Sequence, residues 1–204
     1  MVSSPAHPLA VYALTPAGAG LARSLAARLP ADLYLSASVA GEGESSFSSL
    51  SGLLTRTFRA YRGHVCVAAA GLVVRCLAPL LEDKTSDPAV VVLDQAGVHA
   101  VSLVSGHLGG ANDLARRVAG LTGGTAVITT ATDTAGLKAI DELARVRNLA
   151  IENPEAIREV SAAMLRGESV QVFDPEDWLG LGHGARGYRP LARLVDWDRE
   201  SPGV

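Results

Sequence analysis

Several things are scarce in this chain, and each scarcity removes a class of function. It has only two cysteines, Cys66 and Cys76, too few for a disulfide framework or a thiolate metal cage. Each sits in an apolar run, where reduced cysteine packs as a small hydrophobe. Aromatic residues make up only 4% of the chain and Ala, Gly, Val and Leu dominate, which favours Val-rich strands packed under Ala/Leu helices. No block of Lys or Arg occurs, and the net charge of −3 gives no general attraction to nucleic acid or to an anionic membrane. Neither partner is expected. The start, Met1-Val-Ser-Ser-Pro-Ala-His-Pro, lacks the charged and apolar regions of a signal peptide. The most hydrophobic window, Val65 to Leu81, is broken by Gly71, Arg75 and Pro79, whereas a membrane span needs ~20 largely apolar residues. The expected location is the cytoplasm. A Gly-x-Ser-x-Gly elbow, a phosphate loop and a three-glycine dinucleotide fingerprint are all missing, and the five histidines show no metal-ligand spacing. No resident metal or cofactor is expected.

What is present is an alternation of short Val/Leu runs with Ala/Leu segments at helical spacing, the pattern of an α/β fold with a parallel sheet. Leu9 to Leu14 reads as a strand. Thr15-Pro16 then opens a helix with the stripe Leu21, Leu25 and Leu29. Asp32–Leu35 is a short strand, and residues 40–46 form a polar loop. Leu50, Leu53, Leu54, Thr57 and Phe58 mark a helix. His64 to Ala70 is a buried strand, with a helix from Gly71. Ala89–Leu93 and Val98–Val104 are strands around the turn Gln95-Ala-Gly97. After residues 105–113 comes a helix with Leu114, Val118 and Leu121, then a strand at Thr125–Ile128 and a loop at Thr129–Asp133. A helix near Leu137–Val146, a strand near Leu149–Ile151, a Pro154-initiated helix to Leu165 and a strand at Ser169–Phe173 complete the pattern. This predicts a three-layer fold: a mostly parallel twisted sheet with helices on both faces. Residues 1–175 are expected to form one domain, and residues 176–204 a glycine-rich tail or linker.

Ligands of such sheets bind beyond the carboxyl ends of the strands, which selects three loops. The first is Ala70-Gly71, with Arg75 interrupting the apolar stretch behind it; an arginine there must find a partner or reach solvent. The second is Ser105-Gly106-His107-Leu-Gly109-Gly110-Ala-Asn112-Asp113. Its glycines let backbone N–H groups approach an anion, and His107 in its middle is hard to explain by packing. The third is Thr129-Thr130-Ala-Thr132-Asp133. Here Thr129 and Thr130 suit a ligand carboxylate, while Thr132 and Asp133 suit a helix cap. Lys84 lies in a charged loop and Asp141 on a helix, both with solvent as the default setting. Composition and spacing alone reach a small-molecule-binding α/β domain with an anion-friendly Gly-His loop.

The runs Gly71-Leu-Val-Val-Arg75, Ala78-Pro-Leu-Leu81, Lys84-Thr-Ser-Asp87-Pro88-Ala-Val, Leu103-Val-Ser-Gly-His-Leu-Gly-Gly-Ala-Asn112 and Ile128-Thr-Thr-Ala-Thr-Asp133 together resemble the CbiG family. The resemblance is strongest from Gly71 to Asp141 and continues more weakly to Leu9 and Phe173. It implies the conversion of cobalt-precorrin-5A to cobalt-precorrin-5B in anaerobic cobalamin synthesis. A δ-lactone on ring A is hydrolysed and a two-carbon fragment leaves as acetaldehyde. Cobalt then belongs to the substrate, a corrinoid rich in carboxylates that open amides, Arg75, Lys84 and threonine hydroxyls could hold. His107 is the first candidate for general acid/base, with Asp133 and Lys84 next. Gly71, Arg75, Ser105, Gly106, Gly109, Gly110, Asn112, Thr129, Thr130 and Thr132 are candidates for binding. Family members usually continue into a carboxyl-terminal domain, so such a domain, or a second copy of the chain, is a possible partner. The alternative is a module that binds a corrinoid while the chemistry lies elsewhere.

Overall fold

The computed structural model describes residues 6–83, 85–181 and 184–204. Internal contacts divide it into two compact units, one ending at Ile128 and the other beginning at Thr129. The first holds β1 (Leu9–Ala13), α1 (Pro16–Arg28), β2 (Ala31–Ser36), β3 (Ser46–Phe47), α2 (Leu50–Thr57), β4 (Gly63–Val67), α3 (Ala70–Leu77), β5 (Ala89–Leu93), β6 (His99–Val104), α4 (Ala111–Thr122) and β7 (Thr125–Val127). These strands form a seven-stranded sheet in the order β3-β2-β1-β4-β5-β6-β7. The two-residue β3 falls in what the sequence presents as a polar loop; it is held by Leu35 N–H on Ser45 O at 3.0 Å and Ala37 N–H on Phe47 O at 2.8 Å.

The central strands β4 and β5 are buried at every position because both faces of the sheet are covered. Val11, Ala13, Val65, Val67, Val91 and Leu93 face a core completed by α1 and α4. Ala10, Tyr12, Cys66, Val90 and Val92 face a second core completed by α2 and α3. The three-layer α/β arrangement follows from that alternation. Burial of each fully enclosed Val or Leu contributes about 1.5–3 kcal/mol. Both cysteines are reduced and buried, and burial pushes the Cys66 thiol up to about 12, an inert packing residue. His64 is also core. Its Nδ1 is 2.9 Å from the Tyr12 hydroxyl and its Nε2 is 2.9 Å from the Phe58 carbonyl. Burial lowers its pKa to about 4 against the opposing pull of that carbonyl.

Strand direction decides where the loops lie. β1, β2, β4 and β5 run parallel. β6 runs antiparallel to β5, with Leu93 opposite Ala100, and β7 is parallel to β6. The reversal comes from a short hairpin: Asp94 accepts backbone N–H bonds from Ala96, Val98 and His99, and Gly97 adopts φ +74°, open to glycine without steric cost. The chain therefore leaves β1, β2, β4 and β5 at one edge of the sheet and β6 and β7 at the other.

The second unit contains α5 (Ala131–Thr134), α6 (Ile140–Val146), α7 (Ala156–Leu165), β8 (Val170–Val172) and β9 (Tyr188–Pro190). β8 pairs in parallel with β9 in a separate two-stranded sheet. This is why the contacts break after Ile128 and not near residue 175: the alternation read as one domain changes sheets. Residues 184–204 are correspondingly folded as part of this unit. Gln171, fully buried, donates from its side chain to Asp198 O at 2.8 Å and accepts from Asp198 N–H at 2.9 Å. The strand expected near Leu149–Ile151 is absent. Asn148 turns to φ +57° and Leu149 N–H closes on Ala144 O at 2.8 Å, a helix ending that uses the backbone a strand would need.

Candidate functional site

At the first edge the strand order reverses between β1 and β4, the place where open α/β sheets take ligands. A cleft of about 540 Å³ lies there, lined by residues that follow β1 (Leu14, Thr15), β4 (Ala68, Ala69, Ala70), β5 (Asp94, Gln95) and by His99 at the start of β6. Thr15 caps α1 by accepting Gly18 N–H at 3.1 Å, and its hydroxyl donates to Gln95 Oε1 at 3.1 Å. Asp94 Oδ2 lies 3.7 Å from His99 Nδ1. Burial raises the Asp94 pKa, but the three backbone donors and His99 outweigh it, and the carboxyl is held below its ordinary value. Helix α3 begins at the cleft with no side-chain cap. Its first amides, Ala70 and Gly71, have no acceptor among the described residues, as expected of an uncapped first turn. Arg75 reaches solvent and also folds back one turn, donating from Nη1 to Gly71 O at 2.9 Å.

The Ser105–Asn112 turn lies at the other edge. This separates it from Gly71 and Arg75, which the sequence reading places with it as binding residues; the reversal at β6 is the cause. The turn is also closed on itself. Gly110 N–H donates to His107 O at 2.9 Å, Ala111 N–H to Ser105 O at 3.0 Å and Asn112 N–H to Gly106 O at 3.0 Å. Gly110, at φ +83°, is therefore a backbone pivot whose N–H is already used, and not the open amide the sequence suggests. A Cβ at Gly109 would collide with Ser105 Cβ and stand 2.9 Å from Ser105 O. Asn112 is buried and accepts the Ser102 hydroxyl at 2.7 Å, anchoring α4 to β6. Asp113 pairs with Arg116 at 3.0 Å. His107 is half-buried. Ser105 stands apart: it adopts φ +60°, a conformation costing about 1–3 kcal/mol for such a residue, and its hydroxyl is buried with no partner among the described residues.

In the second unit the Thr129–Asp133 segment is helical from Ala131, not a loop. The Thr130 hydroxyl donates to Asp133 Oδ2 at 2.6 Å, and Thr132 is buried with its carbonyl taken by Leu137 N–H at 2.9 Å. Asp141 is buried, not facing solvent; it lies in the first turn of α6, its carboxylate accepting Glu142 N–H at 3.1 Å. An apolar cavity of about 500 Å³ in this unit is bordered by Phe173, Trp178, Leu179 and Trp197. Lys84 lies outside the described residues. Among the described residues no group of three or more His, Cys, Asp or Glu is placed to hold a metal ion, and no helix is long and apolar enough to cross a membrane.

The structure thus brings together Ser105, Gly106, His107, Gly109, Gly110 and Asn112 at one edge, and Gly71 with Arg75 at the other. It adds Thr15, Asp94, Gln95 and His99, which sequence reasoning missed. The one signal for them was the turn Gln95-Ala-Gly97, which identified a hairpin but not the cleft beside it.

Two family models match consecutive parts of the chain: the cobalamin synthesis G N-terminal region over residues 52–133 and the cobalamin biosynthesis central region over residues 138–195. The chain belongs to the CbiG family. The break between the matches falls close to the boundary of the two units. A cobalt-precorrin-5A hydrolase of Salmonella typhimurium is 39% identical over 197 residues, covering 93% of this chain and 56% of that protein. One from Priestia megaterium is 36% identical over 170 residues, covering 80% and 46%. The chain spans about half the length of these curated relatives. The crystal structure of a putative cobalamin biosynthesis protein G homologue from Sulfolobus solfataricus superposes with a TM-score of 0.55 at 20% identity, covering 98% of this chain and 60% of that one, which supports the fold.

Proposed function

We propose that this CbiG-family chain acts as a cobalt-precorrin-5A hydrolase, opening the ring-A δ-lactone of a cobalt corrinoid with release of acetaldehyde. The observation that carries the reading is the 39% identity with the Salmonella typhimurium hydrolase, sustained over 93% of this chain. The chemistry sets three demands: a surface for the face of a large ring, donors for its carboxylates and for the oxyanion of lactone opening, and a group that takes a proton from water. The switch-point cleft, with its apolar floor and open α3 amides, suits the first two. For the third, the sequence nominates His107, with Asp133 and Lys84 behind it. In this reading cobalt enters with the substrate, no resident cofactor takes part, and the reaction is cytoplasmic. Hydrolysis consumes one water and leaves a carboxylate and an alcohol. The alcohol carbon then departs as acetaldehyde, its C–C bonding pair passing into the conjugated ring.

The test is incubation of the purified chain with cobalt-precorrin-5A while acetaldehyde and the change in corrinoid mass are followed. Stoichiometric acetaldehyde supports the hydrolase. Saturable binding without acetaldehyde supports the second reading, a corrinoid-binding module whose chemistry needs further sequence, which is favoured by the greater length of the relatives.

A further inference from the structure

We propose that the reacting centre lies in the cleft between β1 and β4, and that His99 is the general base that activates water there. The proposal deepens the hydrolase reading and rests on it. Four features of the cleft carry it. The first is place: the carboxyl ends of β1, β4 and β5 and the first residue of β6 surround one concavity of about 540 Å³, at the reversal of strand order. The second is the floor. Leu14, Val67, Ala68, Leu72, Val92 and Val101 line it, an apolar surface on which the face of a ring can lie.

The third is a base with an orienting group. The His99 side chain is 61% exposed with its Nδ1 3.7 Å from Asp94 Oδ2, and its other ring nitrogen has no partner among the described residues. Asp94 is itself fixed, because that same Oδ2 accepts His99 N–H at 2.6 Å and its Oδ1 accepts Ala96 and Val98 N–H at 2.9 and 3.3 Å. A carboxylate pinned by the hairpin thus stands beside one nitrogen of the imidazole, at ion-pair and not hydrogen-bond distance, while the other nitrogen is open; a small rotation of the exposed ring would bring the two into the contact that orients a base. The fourth is a set of donors with no acceptor among the described residues, the Ala70 and Gly71 amides in the first turn of α3, of which Ala70 lines the same cleft. At the other edge, the amides of Gly110, Ala111 and Asn112 beside His107 are already bonded.

The step balances without a co-reactant. His99 takes a proton from water as the water oxygen bonds to the lactone carbonyl carbon. The carbonyl pair moves onto oxygen, facing the α3 amides. Collapse of the tetrahedral intermediate breaks the acyl C–O bond, and the leaving alkoxide recovers the proton from His99. One water is consumed, and one carboxyl and one hydroxyl group are formed.

The experiment is steady-state acetaldehyde release from cobalt-precorrin-5A by the whole chain and by His99→Ala, His99→Gln, His107→Ala and Ala69→Trp, with each variant's thermal melt as the check on folding. His99 and Ala69 are exposed, so both changes should spare the core. His99→Ala and His99→Gln are each expected to lower kcat by ~10²-fold or more with little change in KM, the scale of a lost acid/base. Added imidazole should restore part of the His99→Ala loss, which no structural role of His99 would allow. Ala69→Trp, which fills the cleft, should raise KM. If His99→Ala retains most of the wild-type kcat, or if the larger loss falls on His107→Ala, the assignment is wrong while the hydrolase reading stands. A wild-type chain that binds substrate but releases no acetaldehyde removes both.

Discussion

The two edges of the first unit's sheet are built from similar materials and do opposite things with them. Each has a strand-to-helix turn with glycine at the start of the helix: Gly71 in the first turn of α3, after the cap Ala69, and Gly109-Gly110 just before α4. At the start of α4 the amides of Gly110, Ala111 and Asn112 bend back onto the turn's own carbonyls, so glycine is there to let the chain approach itself. In the first turn of α3 the donors have no acceptor among the described residues and Ala70 lines a cleft, and the nearest atom a Cβ at Gly71 would meet is Arg75 Nη1 at 3.4 Å. A glycine-rich turn is therefore not an anion site by virtue of its glycines; what matters is whether its amides are already bonded.

Four substitutions or conditions would break or sharpen this contrast. The largest effect is expected at the closed turn. Gly109→Ala forces a Cβ into Ser105 and should destabilise the first unit by about 3 kcal/mol, at the upper end of overpacking costs, read as a lowered denaturation midpoint. If it is neutral, the turn is not as tight as its bonds imply.

Next comes the buried imidazole behind the open edge. His64 has its pKa lowered to about 4 from an ordinary 6.5, so the folded state favours neutral histidine. Its contribution to stability is complete above pH 6.5 and is lost as the pH falls toward 4. The loss should reach on the order of 3 kcal/mol. Denaturant midpoints measured across that window should slope in the wild type and flatten in His64→Phe.

A smaller effect is expected at Arg75. Arg75→Ala removes an exposed guanidinium beside the α3 amides, and should raise KM for the polycarboxylate substrate by about 3- to 10-fold, the worth of one partly exposed charged contact, leaving kcat nearly unchanged. An equal fall in kcat would move Arg75 from binding into the reacting centre. The smallest effect is at Gly71. Gly71→Ala should leave the melting temperature unchanged or raise it slightly, since alanine is favoured over glycine within a helix by up to about 1 kcal/mol and no backbone is in the way. Gly109→Ala and Gly71→Ala together are the most direct comparison of the two edges, because the chemical change is identical.

Much of the fold was legible. The apolar runs at Ala10–Ala13, Val65–Val67 and Val90–Leu93 read as buried strands because they are enclosed on both faces, and Thr15-Pro16 announced α1 because the threonine caps and the proline needs no donor at the first turn. The Gln95-Ala-Gly97 hairpin was also visible. Its consequence was less so: a short hairpin forces the next strand antiparallel, since a parallel return needs a crossover of a dozen residues or more. That reversal carries the Ser105–Asn112 turn to the edge away from Gly71. Within the candidate site, the residue types were readable but not the fate of their hydrogen bonds. The glycines before α4 look the same in sequence whether their amides are free or used.

The amino-acid sequence by itself determined the α/β class, the positions of most strands and helices, the burial of Cys66 and Cys76, and the family, because periodicity, capping residues and specific runs such as Ser105-Gly-His-Leu-Gly-Gly-Ala-Asn112 are local properties of the chain. Only the tertiary structure decided that the chain divides at Ile128, that Thr15 meets Gln95 across 80 positions, that Asp94 and His99 flank a cleft with the α3 amides, and that Asp141 is buried. Each of these depends on which strands become neighbours and in which direction they run. Those choices are made when distant segments bury their apolar faces together, and no local window of sequence contains them.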